Sequence, residues 1–148
     1  MINSKLIIPF KIVLFILLIS FSNFASAQLL TDKEEIINEY GKNYTSGVTD
    51  DSKCNYISYS KKILRDAKGA FEQIKIMYLI NLSGKEVCTS WRILEPVSQT
   101  NFNVKYYKNN LVEIEPMKWK DYERNIIYAI EVSDYFCVIE ASLDLNNK

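Results

Sequence analysis

The chain has 148 residues, 18 basic and 18 acidic side chains, and no histidine. That length holds about one domain. The missing histidine removes the commonest general base and metal ligand, so a Ser-His-Asp or Cys-His nucleophile cannot be assembled within the chain, and the balanced charge leaves no electrostatic footprint for nucleic acid.

Lys5 lies in a short basic region, residues 12–19 are wholly apolar, and Ala25-Ser26-Ala27 has the form of a cleavage site. These features predict a secretory signal peptide over 1–27, cut before Gln28. The apolar run is shorter than the ~20 residues of a membrane span, so membrane contact is expected only through the leader before cleavage. Residues 28–148 are then one small domain, periplasmic or secreted. Lys5 and Lys11 are the only charged residues of the leader, which leaves 28–148 two charges negative.

Thr31-Asp32-Lys33-Glu34 has the spacing of a capping box. Ile36, Ile37, Tyr40 and Tyr44 follow at helical intervals, so a helix is predicted from Asp32 to Tyr40 or Tyr44, covering one face of a sheet. Residues 45–53 are polar and read as a loop. Cys54–Gly69 fits two readings. Tyr56, Ile57 and Tyr59 favour a strand followed by a turn around Asp66–Gly69, which is the expected form, while residues 60–65 with Gly69 behind them also fit a short capped helix.

The strongest pattern spans Phe71–Leu94. Ile74, Ile76, Tyr78 and Ile80 alternate, as do Val87, Thr89, Trp91 and Ile93, with Ser83-Gly84 between the two runs as a turn. Pairing about that turn sets Ile80 against Val87, Ile76 against Trp91 and Ile74 against Ile93. A one-residue slip would split the two apolar sets between faces. Glu95-Pro96 ends this hairpin. Phe102–Tyr107 and Leu111–Met117 are read as a second hairpin around Lys108-Asn109-Asn110, with Tyr106 opposite Val112. Lys118–Glu123 reads as a connection. Ile126–Val132 and Tyr135–Leu143 form the last hairpin, turning at Ser133-Asp134.

The expected fold is α+β: an N-terminal helix packed on an antiparallel meander of six or seven strands, either a curved sheet or a partly closed barrel. Cys54, Cys88 and Cys137 lie beyond the leader, where export makes the surroundings oxidising. An odd number leaves one thiol over, and none has metal-type spacing. Strand parity puts Cys137 on the apolar face and Cys88 on the face of Ser90 and Arg92. Cys54–Cys88 is therefore the expected disulfide.

No Gly-rich phosphate loop and no metal or cofactor motif is present. Glu113 and Glu115 share a strand face, with Asp121 and Glu123 nearby, and such pairs can serve a small hydrolase. An apolar pocket lined by Ile76, Trp91, Tyr128 and Ile139 would instead suit a carrier. The remaining signal is aromatic. Tyr106, Tyr107, Trp119 and Tyr122 gather around one hairpin and the segment after it, and polar-tipped aromatics are enriched at interfaces. These four are the candidate binding residues, with Tyr107 placed on the exposed face. The expected function is that of an exported, non-catalytic binding protein for a protein or glycan partner, such as an inhibitor, an immunity-type partner or an envelope accessory subunit.

Overall fold

Eight strands form one antiparallel sheet that stays open, with two helices on one of its faces, in a computed structural model that describes residues 29–65 and 69–145. The leader and its cleavage site lie outside the described residues, as does most of the turn expected at Asp66–Gly69.

Helix α1 (Lys33–Tyr40) begins where the sequence places it, but its cap is Asp32, whose carboxylate accepts the Glu35 N–H at 2.9 Å. It ends at Gly41, whose φ of +92° is a left-handed value that glycine adopts without strain. Four strands follow: β1 (Thr45–Val48), β2 (Asn55–Leu64), β3 (Ala70–Leu82) and β4 (Lys85–Pro96). The stretch read as a polar loop thus carries an edge strand, short and exposed.

A 3₁₀ turn (Val97–Gln99) leads into helix α2 (Thr100–Asn110). Then come β5 (Val112–Glu115), β6 (Lys118–Asp121), β7 (Ile126–Val132) and β8 (Phe136–Leu143). The strand order is β1-β2-β3-β4-β8-β7-β6-β5. A helix followed by a four-stranded meander therefore occurs twice, and the two meanders meet along β4 and β8. No sequence repeat accompanies this topological one.

The sheet is open, not a partly closed barrel, and it exceeds the expected strand number because β1 and β6 arise from stretches read as connections. The larger correction is α2. Residues 102–107 are rich in Phe, Val and Tyr, which favour strands. Packing overrides that preference, because Gln99, Asn103 and Tyr107 recur every fourth position and all three are buried.

The central hairpin turns at Ser83-Gly84 as expected. Both residues have positive φ, +52° and +86°, the requirement of a type I′ turn, and Ile80 pairs with Val87. Beyond that point the register departs from the reading. Leu79 pairs with Cys88 and Tyr78 with Ser90, so Thr89 is a bulge residue. The one-residue slip that the apolar pattern opposed is built in. Met77 faces Trp91, and the inward positions of β3 are Gln73, Lys75, Met77 and Leu79. Ile74, Ile76 and Tyr78 lie half-buried on the helix-free face.

The same bulge lets Cys88 and Trp91 both face inward. Cys54 is half-buried and donates its thiol to the Leu79 carbonyl at 3.3 Å, while Cys88 and Cys137 are fully buried. All three are free thiols, so the expected Cys54–Cys88 bond is not formed here. The core runs from Ile36 of α1 across Ile57, Met77, Leu79 and Trp91 to Tyr107, Trp119, Tyr128 and Ile139. Neither tryptophan indole N–H has an acceptor among the described residues, a cost of about 1–3 kcal/mol each.

Candidate functional site

Two hollows flank α2 on the helix-bearing face. The floor of the first comes from the inverted pattern of β3. Cross-strand pairing sets Tyr59, Lys75, Ile93 and Ile139 in one row. The adjoining row holds Lys61 beside Gln73 and Glu95 beside Cys137, with Gln73 Nε2 donating to Glu95 across the gap. Tyr40 of α1 and Phe102, Asn103, Tyr106 and Tyr107 of α2 stand over these rows and leave a cavity of about 270 Å³.

Glu95 is 1% exposed. Its carboxylate accepts from Arg65 Nη1 and Nη2 at 2.8 and 2.7 Å, from Gln73 Nε2 at 2.5 Å and from Asn103 Nδ2 at 2.8 Å. Burial pushes its pKa up, but the bonds from Arg65, Asn103 and Gln73 outweigh it and hold the group below the usual carboxylate value. Arg65 also donates to Gln99 Oε1 at 3.1 Å, and its guanidinium lies 5.1 Å from the Phe71 ring centre and 4.3 Å from that of Phe102. Glu95 and Gln99 hold the cation at its Nη1 and Nη2 ends, with the Phe71 and Phe102 rings nearby.

Lys75 is 7% exposed. Its ammonium donates to the Tyr40 hydroxyl at 3.3 Å and lies 4.9 Å from the Trp91 ring centre. Burial pulls its pKa down to about 8. The Tyr40 side chain is half-buried, and that desolvation pushes its hydroxyl above its ordinary value.

The second hollow is a wider cleft of about 610 Å³, between the C-terminal half of α2 and the β6–β7 turn. Tyr106 and Tyr122 line it and are 47% and 62% exposed. Beneath them the Tyr107 ring stacks on Trp119 at 5.8 Å and 24°. Lys120 and Asp144 form a buried ion pair, and Asp121 accepts the Glu123 and Arg124 backbone N–H groups, both at 3.0 Å.

The structure thus gathers the four predicted aromatics. Tyr106, Tyr107 and Tyr122 line one cleft, with Trp119 against Tyr107. Tyr107, expected to be exposed, is buried, because a helix turns it inward where a strand would have alternated it outward. Glu113 and Glu115 stand exposed on edge strand β5, and Glu115 pairs with Lys118 at 2.9 Å. The lining proposed for a carrier is not assembled: Ile76 is on the helix-free face, and Trp91 packs edge-on against Tyr128 with ring centres 6.0 Å apart.

Sequence reasoning missed Arg65, Lys75 and Glu95. The signal was the other phase of β3, where Gln73 and Lys75 alternate in step with Met77 and Leu79. Among the described residues no group of three or more Cys, Asp or Glu side chains is placed to hold a metal. No protein-family model, no curated protein and no solved structure matches this chain.

Proposed function

We propose that this is an exported, non-catalytic binding protein that engages a protein partner through the aromatic cleft beside α2, as an inhibitor, an immunity-type partner or an envelope accessory subunit does. Export rests on the leader pattern in 1–27. The partner surface rests on one observation: Tyr106 and Tyr122 are exposed along the same cleft, over a buried Tyr107–Trp119 stack. Interface energy concentrates in a few such aromatic anchors, and a side chain held from below loses less freedom on binding.

The acidic groups near the cleft favour binding over hydrolysis. Asp121 caps its own turn, Asp144 is paired with Lys120, and Glu113 and Glu115 point from an exposed edge. The experiment is affinity capture from the envelope or medium of the source organism with residues 28–148 as bait. A partner held by the native chain and lost with Tyr106→Ala or Tyr122→Ala supports the reading. Turnover of a glycan or peptide that Glu113→Gln or Glu115→Gln abolishes would replace it with the hydrolase.

A further inference from the structure

The inward face of β3 and β4 carries charge and amide groups at positions that an ordinary core would fill with apolar side chains. Gln73, Lys75 and Glu95 are all buried there. Taking a charged group out of water costs several kcal/mol even after relaxation. The fold has apolar residues close at hand in Ile74 and Ile76, yet turns them to the helix-free face. Places where a local rule is broken at such cost are where function is expected.

The geometry points to the cavity between α1 and α2 as a binding site for a small organic anion, one aromatic ring bearing a carboxylate. Three features of the lining carry this. The first is charge: Lys61, Arg65 and Lys75 line the cavity against the single carboxylate of Glu95. That carboxylate is engaged by Arg65 through two parallel bonds. The second is preorganisation. Arg65 is held by Glu95 and Gln99, so Glu95 acts as a positioning residue for a cation at the cavity. Lys75 is held near the Tyr40 and Trp91 rings. The third is shape. Tyr40, Tyr59, Phe102, Tyr106 and Tyr107 supply aromatic walls over the Ile93 and Ile139 floor. A dry cavity of about 150 Å³ accepts benzene, so about 270 Å³ admits one ring with a short charged substituent. This cavity shares the Tyr106 and Tyr107 rings with the partner cleft but has its own charged lining, and the inference does not depend on that reading.

The test is titration calorimetry of residues 28–148 with benzoate at millimolar concentration, with neutral benzamide as the matched probe. Saturable binding of benzoate, about tenfold or more tighter than benzamide, is expected from one charge-assisted hydrogen bond. Lys75→Met should weaken benzoate by about tenfold and leave benzamide little changed. Lys62→Met, at an exposed position outside the lining, should change neither. Should Lys75→Met fail to fold, Lys61→Met at the cavity serves in its place, with a smaller loss in the same direction. No saturable binding of benzoate, equal affinity for benzamide, or undiminished affinity in the lysine variant would each overturn the proposal.

Discussion

Arg65 and Glu95 hold each other by two parallel hydrogen bonds, Nη1 to Oε2 and Nη2 to Oε1, with the carboxylate wholly inside the protein. Gln73 and Asn103 complete the acceptor's shell. Removing the carboxylate while its cation stays is the costly change. Glu95→Ala should destabilise the fold by about 3–5 kcal/mol. The pH dependence has a definite sign. A carboxylate whose folded pKa is lowered adds stability above its unfolded pKa and loses it as pH falls through the folded value. The stability gap between the native chain and Glu95→Gln in urea unfolding should therefore shrink as pH falls below the ordinary carboxylate range and close only beneath the lowered folded value.

Lys75 works in the opposite direction. Its pKa is about 8 in the fold and 10.5 in the unfolded chain. Between those values the unfolded chain holds more protons, so raising pH stabilises the fold. The groups around it are Glu39 and Tyr40 of α1, Tyr59 and Lys61 of β2, and Cys88 of β4. Lys75→Met should be more stable than the native chain at neutral pH, by up to about 3 kcal/mol. That gap should narrow between pH 8 and 10. A gap that stays constant with pH would contradict the buried ammonium.

The four aromatics at the proposed partner cleft divide by burial. Tyr107→Ala and Trp119→Ala remove stacked core rings and should each cost about 3–5 kcal/mol of stability. Tyr106→Ala and Tyr122→Ala should leave stability within about 0.5 kcal/mol. Each should cost about 2 kcal/mol or more in partner affinity if it is an anchor. Thermal unfolding and binding of the captured partner, measured on all four variants, separate the two roles.

The thiols give a simple chemical readout. Burial pushes the Cys88 thiol up to about 12, and Cys137 is equally enclosed. A water-soluble thiol reagent should modify Cys54 first in the native protein, and all three only after unfolding. Non-reducing peptide mapping should recover each cysteine unpaired. A Cys54–Cys88 peptide would instead restore the pairing expected from strand parity.

Much of the fold was legible. α1, the Ser83-Gly84 turn and the apolar face of the last hairpin follow from local chemistry. Val132 pairs with Cys137, two residues further out than a Ser133-Asp134 turn implies, but such an even shift preserves the face. The candidate site was not legible, for two reasons. Alternation shows which residues share a face but not which face is covered. In β3 the more apolar set is the outer one. The strand-like composition of 102–107 also hid a helix whose inward positions include one amide, Asn103. Both failures fall on the walls of one cavity.

Thr89 has a consequence that concerns counting more than chemistry. Between Lys85 and Leu94 it is the one residue of β4 with no partner on β3, and that extra position is what lets Cys88 and Trp91, three apart, both face inward. Substituting Thr89 changes one side chain. Deleting it would remove the bulge and leave Leu79–Cys88, Tyr78–Ser90 and Met77–Trp91 as consecutive pairs of an unbroken ladder, with Trp91, Ile93 and Glu95 still facing the helices. Drawing Thr89 into the ladder opposite Tyr78 would instead set Trp91 against Ile76, and the tryptophan of the core and the acceptor of the Arg65 clasp would turn outward together. At this point the strand can lose one residue and keep its facing, whereas the same loss beyond Trp91 would put the inward residues after it on the other face.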